Sequence, residues 1–380
     1  MRPVLVHSDE LTHYDFGPAH PMAPGRVRHA IALSRALGVL DSFDIVAPPG
    51  AADDLLLTAH SPEYVAAVKS GRPYPMLGLG TEDNPIVERM HEIAASVCSA
   101  TVEAARRVWQ GETDRAANIA GGLHHAMRQG ASGFCVYNDL VVAIKWLKAN
   151  GARRIAYLDV DAHHGDGVQE AFYDDPDVLT ISLHESPVHL FPGTGFATEI
   201  GGENAQGSAV NVALPPHTGD SDWLRAFEAV VPTLLERFGA DILITQHGCD
   251  SHRADPLADL NLTVDGQVAS YAMMERWADE FCGGKWVAAG GGGYAVVEVV
   301  PRAWTHLLAV MARKPIDPQT PTPEEWRQAL GEDAPRSMTD GVPAEFEPFD
   351  DGYNPSSRVD QAVLATRRAV FPEHGLAPEF

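Results

Sequence analysis

The segment Arg154–Gly167 reads RIAYLDVDAHHGDG, a short apolar run followed by three carboxylates and two adjacent imidazoles. The run up to Val160 is typical of a buried parallel strand, which reads as nearly continuous apolar sequence. Charged groups at the end of such a strand are costly unless a partner compensates them. The segment therefore predicts a buried strand whose carboxyl end carries a polar site.

The residues Asp159, Asp161 and His163 alternate along this segment, so an extended chain directs their side chains to one side. The spacing Asp161-x-His163 offers an oxygen and a nitrogen to one ion, a donor set that suits zinc or a similar divalent cation. The structural alternative is a helix cap by Asp161 or Asp166. A cap needs one carboxylate, however, and not three carboxylates with a histidine, so metal binding is the favoured interpretation.

Short β-rich apolar runs alternate with longer amphipathic segments along the chain. The predicted strands are 3–7, 43–47, 116–120, 154–160, 178–183, 209–214, 240–246 and 286–290. The predicted helices include 26–38, 86–110, 138–150, 221–238 and 265–282. This alternation predicts an α/β fold in which helices cover both faces of a parallel sheet, with ligands bound beyond the carboxyl ends of the strands.

The region after residue 312 is richer in Pro, Asp and Glu, with one further helix predicted over 356–369. We expect a catalytic domain over residues 1–311 and a C-terminal appendage over 312–380 that packs on the same domain.

Two histidines, His124 and His125, follow the strand predicted over 116–120 in the loop GGLHHAM. Adjacent side chains diverge, so these imidazoles are expected to act as a proton shuttle and its electrostatic helper rather than to chelate one ion. The loop GGGGYA after the strand 286–290 lacks the Lys-Ser/Thr of a phosphate-binding P-loop. Its glycines could instead place Tyr294 in the site, where a hydroxyl can stabilise an oxyanion.

The loop HGCDSHRADP after the strand 240–246 could supply a third metal ligand. Its candidates are His247, Asp250, His252 and Asp255. For each of them, an ordinary loop or capping role is an equal alternative. The residues alone leave the third ligand open.

The composition excludes several classes of protein. The 380 residues carry 28 basic and 52 acidic side chains, a formal charge of −24, and no basic run longer than a pair, which argues against nucleic-acid binding. The four cysteines are widely separated and indicate neither a disulfide framework nor a cysteine-based zinc site. No stretch approaches the ~18 apolar residues of a membrane span. We expect a soluble cytoplasmic protein with no nucleic-acid or membrane partner.

Beyond these inferences, the chain resembles the zinc-dependent histone deacetylase-like amidohydrolases from about residue 13 to 310. The resemblance rests on motifs that occur in the family's order, namely GGLHHA, GFCVYND, YLDVDAHHGDGVQEAF, TISLHE, FPGTG, HGCDSHRADPLADLNLT and GGGGY. The segments YDFGPAHPMAPGRV, GLGTEDNP and FPEHGL are more similar to the bacterial acetoin-utilisation (AcuC-type) branch. The resemblance implies the three-layer arginase/deacetylase fold with an eight-stranded parallel sheet.

The resemblance also implies a role for each matching position. The implied ligands of zinc, or of ferrous iron in the cell, are Asp161, His163 and Asp255. The implied catalytic groups are the general base and acid His125, its electrostatic partner His124, their orienting carboxylates Asp166 and Asp159, and the carbonyl-binding Tyr294. The implied substrate tunnel comprises Gly133, Phe134, Phe191, Leu262 near the mouth and Asp83 at the rim. A structural potassium ion would use Asp159, Ser182, Leu183 and main-chain oxygens of Asp161 and His163.

The implied activity is metal-dependent removal of acetyl groups from lysine side chains of proteins or peptides. A deacetylase of small acetylated amines, such as polyamines, would share this catalytic core and differ at the tunnel mouth, where Asp83 favours a peptide backbone. A non-catalytic metal-binding scaffold is disfavoured, because every catalytic position carries the expected residue type.

Two further possibilities are excluded by departures from known patterns. A two-metal arginase-like site would need carboxylates where this chain has Gly165 and Arg253. Eukaryotic relatives bind inositol phosphate through a lysine where this chain has Ala23, so no such regulator is expected.

Overall fold

Eight parallel strands form one sheet in the computed structural model of the chain, which describes residues 1–50 and 52–379. The strands are β1 (Val4–Val6), β2 (Asp44–Val46), β3 (Arg115–Asn118), β4 (Ile155–Asp159), β5 (Val178–Glu185), β6 (Ala209–Leu214), β7 (Ile242–Gln246) and β8 (Trp286–Ala289). Their order in the sheet is β2-β1-β3-β8-β7-β4-β5-β6, and every neighbouring pair is parallel. The predicted parallel α/β sheet is confirmed.

Helices cover both faces of this sheet. They are α1 (Gly25–Ala36), α2 (Asp53–Leu56), α3 (Pro62–Lys69), α4 (Met90–Trp109), α5 (Asp139–Ala149), α6 (Asp166–Phe172), α7 (Asp220–Phe238), α8 (Val264–Phe281), α9 (Val300–Met311), α10 (Glu324–Leu330) and α11 (Arg358–Val370). None of the helices in the described part of the chain combines the length and apolar character that a bilayer-spanning helix requires.

Strand β4 shows how the sheet separates two hydrophobic layers. Its residues Ala156 and Leu158 pack with α1, α7, α8 and α9, whereas Ile155 and Tyr157 pack with α3, α4 and α5. This division follows from the two-residue side-chain period of a strand. Burial on both faces explains why the strand is apolar throughout until Asp159. The molecule is therefore a three-layer α/β/α sandwich.

The segment after α9 runs back over the domain. Helix α11 packs on β6 and α7, and its apolar residues Val359 and Val363 join the same core as the sheet. Ser357 caps this helix by accepting the backbone N–H of Asp360 at 3.1 Å. The C-terminal segment thus shares a hydrophobic core with the residues that precede it.

Candidate active site

The strand order brings four polar loops to one edge of the sheet. Strands β3, β8, β7 and β4 are consecutive neighbours, and the loops 119–126, 290–294, 247–256 and 160–166 follow them. Because all four strands are parallel, these loops share the carboxyl edge, where ligands gather in open α/β sheets. Residues far apart in sequence become neighbours there.

Each of the two adjacent histidines is held by its own carboxylate. The Nδ1 of His124 lies 2.7 Å from Asp159 Oδ2, and the Nδ1 of His125 lies 2.6 Å from Asp166 Oδ1. A carboxylate beside Nδ1 places the ring proton there and leaves Nε2 available for chemistry. The two Nε2 atoms lie 3.1 Å apart. The pair therefore brings its two Nε2 atoms together at one point of the site.

The charges of these histidines differ. Burial and the neighbouring His124 lower the pKa of His125, so this imidazole is neutral at pH 7. Burial also opposes protonation of His124, but the carboxylates of Asp159 and Asp161 raise its pKa to about 9. The site thus combines a neutral base with an adjacent fixed cation, which suits general base catalysis.

The tightest group of metal-ligating side chains consists of Asp161, His163 and Asp250, whose candidate ligand atoms lie within 4.8 Å of one another. The Nδ1 of His163 lies 3.1 Å from Asp161 Oδ1 and 3.0 Å from Asp250 Oδ2. All three residues are buried. Two of the expected zinc ligands are therefore adjacent, although the chain bends after β4 ends at Asp159 and does not stay extended through His163.

The third expected ligand, Asp255, lies outside this tightest group. Both of its oxygens accept backbone N–H groups, from Leu257 at 3.0 Å and from Tyr294 at 2.7 Å, which fixes the carboxylate beside the loop of Tyr294. The oxygen of Asp250 instead points at the His163 ring. Geometry alone favours Asp250 as the third ligand and the resemblance favours Asp255, so both are candidates.

The donor set fits a divalent cation. Asp161, Asp250 and Asp255 expose at most 8% of their surface, and among the described residues none of them forms an ion pair with a lysine or arginine. Three buried carboxylates with one cationic imidazole, His124, 3.8 Å from Asp161 are costly to bury without further positive charge. Carboxylate oxygens and an imidazole nitrogen are ligands that zinc accepts.

Two residues that support the site were not predicted. The amide of Gln246 at the end of β7 donates to Asp161 Oδ2 at 2.6 Å and accepts the N–H of Gly248 at 2.7 Å. The buried carboxylate of Asp139 accepts the N–H groups of Gly122 and Leu123, which shapes the loop before His124. The only signal in the sequence is that Gln246 and Asp139 are polar residues at the boundary of an apolar strand or helix. That position does not reveal which groups they contact.

A cavity of about 250 Å³ leads to His125 and His163. It is lined by Asp83, His125, Gly133, Phe134, His163, Leu190, Phe191, Leu257 and Tyr294. The Phe191 ring packs edge-on against the His125 ring, with 5.0 Å between the ring centroids. The Phe134 and Tyr294 rings pack in the same way, with centroids 5.7 Å apart. A Cβ atom at Gly133, where φ is +49°, would lie 2.4 Å from the His125 ring, so only glycine fits there.

The expectation that Leu262 lies near the tunnel mouth is wrong. Its side chain is 1% exposed and packs in the hydrophobic core two residues before α8 begins at Val264. Leu257 and Leu190 line the cavity instead. The loop PLADLNL contains three leucines, and sequence spacing alone cannot tell which of them faces the tunnel.

The residues predicted for potassium lie at the β4–β5 boundary. Asp159 is directly opposite Ser182 in the register of the two strands, and Leu183 follows Ser182. The N–H of Glu185 donates to the carbonyl of Ala162 at 2.9 Å, so β5 ends alongside the backbone that carries Asp161 and His163. The arrangement brings the predicted groups together, and the ion itself stays a prediction.

The fold and these motifs can be compared with known proteins. Residues 20–311 match the histone deacetylase domain model. The acetoin utilization protein AcuC of Bacillus subtilis is 40% identical over 333 residues, which cover 85% of each chain. AcuC of Staphylococcus aureus is 36% identical over 328 residues, 84% of each chain. A crystal structure of a histone deacetylase (HDAC) homologue complexed with SAHA matches 96% of this chain and 100% of that one, with a TM-score of 0.84 and 26% identity. The chain therefore belongs to the histone deacetylase family, and its relatives are of the AcuC type.

Proposed function

We propose that this deacetylase-family hydrolase removes the acetyl group from N-ε-acetyl-lysine in proteins or peptides and releases acetate. The observation that carries the proposal is the cavity. His125, His163 and Tyr294 line it together, and the exposed residue Asp83 lines it as well. Zinc, or ferrous iron in the cell, held by Asp161, His163 and Asp255 would polarise the acetyl carbonyl and acidify a water.

The residues of the chain account for the proton transfers. Neutral His125 takes a proton from the attacking water, whose oxygen bonds to the acetyl carbon, and Asp166 holds the ring for this transfer. The same proton then passes to the lysine nitrogen as the carbon–nitrogen bond breaks. Cationic His124 stabilises the negative charge that develops beside it.

The hydroxyl of Tyr294 completes the site. Burial raises the pKa of Tyr294 well above its ordinary value, so the phenol stays protonated and can donate a hydrogen bond to the developing oxyanion. The aromatic rings of Phe134 and Phe191 line the cavity on the way to this hydroxyl. Apolar walls suit the methylene chain of a lysine, whose burial is favourable.

The direct test measures acetate release from an acetyl-lysine peptide by zinc-loaded protein, with and without a chelator. We expect turnover that a chelator abolishes and that added zinc restores, because metal-free ligands cannot activate water. Turnover that survives complete metal removal would exclude the metal-dependent mechanism. Stoichiometric metal without turnover on peptides would favour small acetylated amines as substrates.

The choice between peptide and small-amine substrates can be tested at the rim. The exposed carboxylate of Asp83 lines the cavity, where it can accept backbone N–H groups of a bound peptide. We expect Asp83→Ala to lower kcat/KM for an acetyl-lysine peptide by about tenfold, the value of one hydrogen bond to a charged acceptor. An acetylated polyamine lacks a peptide backbone, so its kcat/KM is expected to fall by less than that of the peptide and only through the loss of the negative charge.

The neighbouring exposed residue Glu82 provides the matched control, because Glu82→Ala removes the same charge from a residue that does not line this cavity. Equal effects of the two substitutions on both substrates would show that Asp83 contributes only charge. The peptide preference would then have no support from the rim.

A further inference from the structure

The C-terminal segment reaches the loop that carries Asp255. The carboxylate of Asp340 lies 29 residues beyond the end of the matched domain at residue 311, yet its Oδ2 accepts a hydrogen bond from His252 Nε2 at 2.8 Å. The same oxygen accepts the N–H of Val264 at 3.0 Å, and Oδ1 accepts Arg302 Nη1 at 2.8 Å. The Asp340 side chain is 9% exposed. One carboxylate therefore joins the loop after β7 to α8 and α9.

The bond from His252 has a defined direction. The ring Nδ1 accepts the N–H of Ala254 at 3.0 Å, so the ring proton is on Nε2 and is donated to Asp340. The backbone carbonyl of His252 also accepts the N–H of Asp255 at 2.8 Å. Both the ring and the main chain of His252 thus shape the turn 252–255, at whose end the Asp255 carboxylate is presented.

The position of Asp340 is itself fixed from two helices. The carboxylate of Asp265 in α8 accepts the N–H of Asp340 at 2.9 Å. His306 in α9 lies 3.0 Å from the carbonyl of Met338, whose side chain is fully buried. These contacts hold the segment around Asp340 in place. The hydrogen bond from His252 to Asp340 therefore fixes the position of the His252 ring in the loop after β7.

We propose that Asp340 is a positioning residue for the metal centre, acting through His252 to hold the turn that presents Asp255. The inference rests on the proposed function in that it takes Asp255 to be a ligand. Hydrogen-bonded partners behind metal ligands commonly change metal affinity by 10–100-fold when they are removed. The C-terminal segment would then contribute to the site, although it lies outside the matched domain.

An Asp340→Asn substitution disrupts this arrangement with little change in volume. Asp340 accepts three N–H donors through its two oxygens, whereas asparagine has one acceptor oxygen and an amide that is itself a donor. At least one of His252, Val264 and Arg302 must lose its acceptor. A buried donor without a partner is costly, so the turn is expected to relax.

The matched control is Asp360→Asn in α11. Asp360 is buried, accepts both Arg225 Nε at 2.8 Å and Nη2 at 2.9 Å, and accepts the N–H of Asn354 at 2.7 Å. Both substitutions replace aspartate by asparagine, and both remove an ion pair with an arginine. The partners of Asp360 differ, however, because Arg225 lies in α7 and Asn354 in the C-terminal segment, and neither lies in the loop after β7. It therefore reports stability loss without a direct connection to Asp255.

The experiment uses the full chain, stripped of metal and titrated with zinc against a competing chelator. The second readout is the visible absorption of the cobalt-substituted protein, which reports coordination geometry. We expect Asp340→Asn to raise the zinc dissociation constant by about 10–100-fold and to alter the cobalt spectrum. Asp360→Asn is expected to match the wild-type chain in both readouts, while both variants lower the melting temperature.

Equal zinc affinity and cobalt spectra in the two variants would overturn the proposal. If Asp340→Asn does not fold, Thr339→Val tests the same point more gently, since the Thr339 hydroxyl contacts the Asp265 carboxylate that places the segment. An unchanged affinity and spectrum in that folded variant would likewise overturn it. A wild-type chain that binds neither zinc nor cobalt would instead overturn the metal centre, and hence the proposed function.

Discussion

A His125→Gln substitution is expected to reduce kcat/KM for an acetyl-lysine peptide by about 10²–10⁴-fold, the usual contribution of a positioned general base and acid. Glutamine has a similar size but accepts no proton at neutral pH. His125 is suited to this task because burial and the neighbouring His124 lower its pKa, which keeps the imidazole neutral. Steady-state kinetics with the zinc-loaded variant would measure the effect, and zinc content should stay at the wild-type value.

The companion variant is Asp166→Asn, which removes the charge that orients His125 through the 2.6 Å contact with its Nδ1. We expect a smaller loss in the same direction, because the imidazole remains but its tautomer and orientation are less well fixed. A His125→Gln variant that keeps its metal and more than about a tenth of the activity would contradict the assignment, since a general base contributes at least about 10²-fold. The base would then have to be another group in the cavity.

Most of the eight strands were predictable because they are short apolar runs that end at a turn or a polar cluster. Strand β4 is the clearest case, since burial on both faces requires apolar residues up to Asp159.

The catalytic pairings were predictable only through the family's motifs. His125 and Asp166 are 41 residues apart in sequence, and their contact depends on the loops of two strands that are not adjacent in the sheet. The residues of each loop indicate chemistry, but their partners depend on the strand order. Gln246 and Asp340 were missed for the same reason, because a polar residue at the end of a strand or in a Pro-rich segment has many alternative roles.

The third metal ligand could not be predicted from residue spacing. Asp161 and His163 are two residues apart, and an extended chain would direct both to one side. In the structure β4 ends at Asp159 and the chain bends over 161–163, where Asp161 Oδ1 accepts the N–H of His163 at 3.0 Å. Asp250 and Asp255 lie in an irregular loop where no period applies. The structure brings Asp250 to the His163 ring, while Asp255 is held by the N–H groups of Leu257 and Tyr294. Substitutions can distinguish the two carboxylates.

An Asp161→Asn substitution is expected to abolish metal retention and to lower turnover by at least about 10³-fold, because a catalytic metal contributes several kcal/mol to transition-state stabilisation. Asp161 accepts the N–H of His163 at 3.0 Å, the N–H of Gly292 at 2.8 Å and the Gln246 amide at 2.6 Å. Asparagine cannot accept all three and offers a neutral ligand where an anionic one is needed. Metal content after dialysis and acetate release would measure both effects.

The parallel variants Asp255→Asn and Asp250→Asn separate a ligand from a residue that orients one. If Asp255 is the third ligand, its substitution should match Asp161→Asn. Asp250→Asn should then keep the metal with an affinity about 10–100-fold weaker, since its oxygen lies 3.0 Å from His163 Nδ1 and orients that ring. The reverse ranking would make Asp250 the ligand and Asp255 the residue that holds the Tyr294 loop. An Asp161→Asn chain that retained one zinc ion and wild-type turnover would contradict either version, because both require Asp161 at the metal.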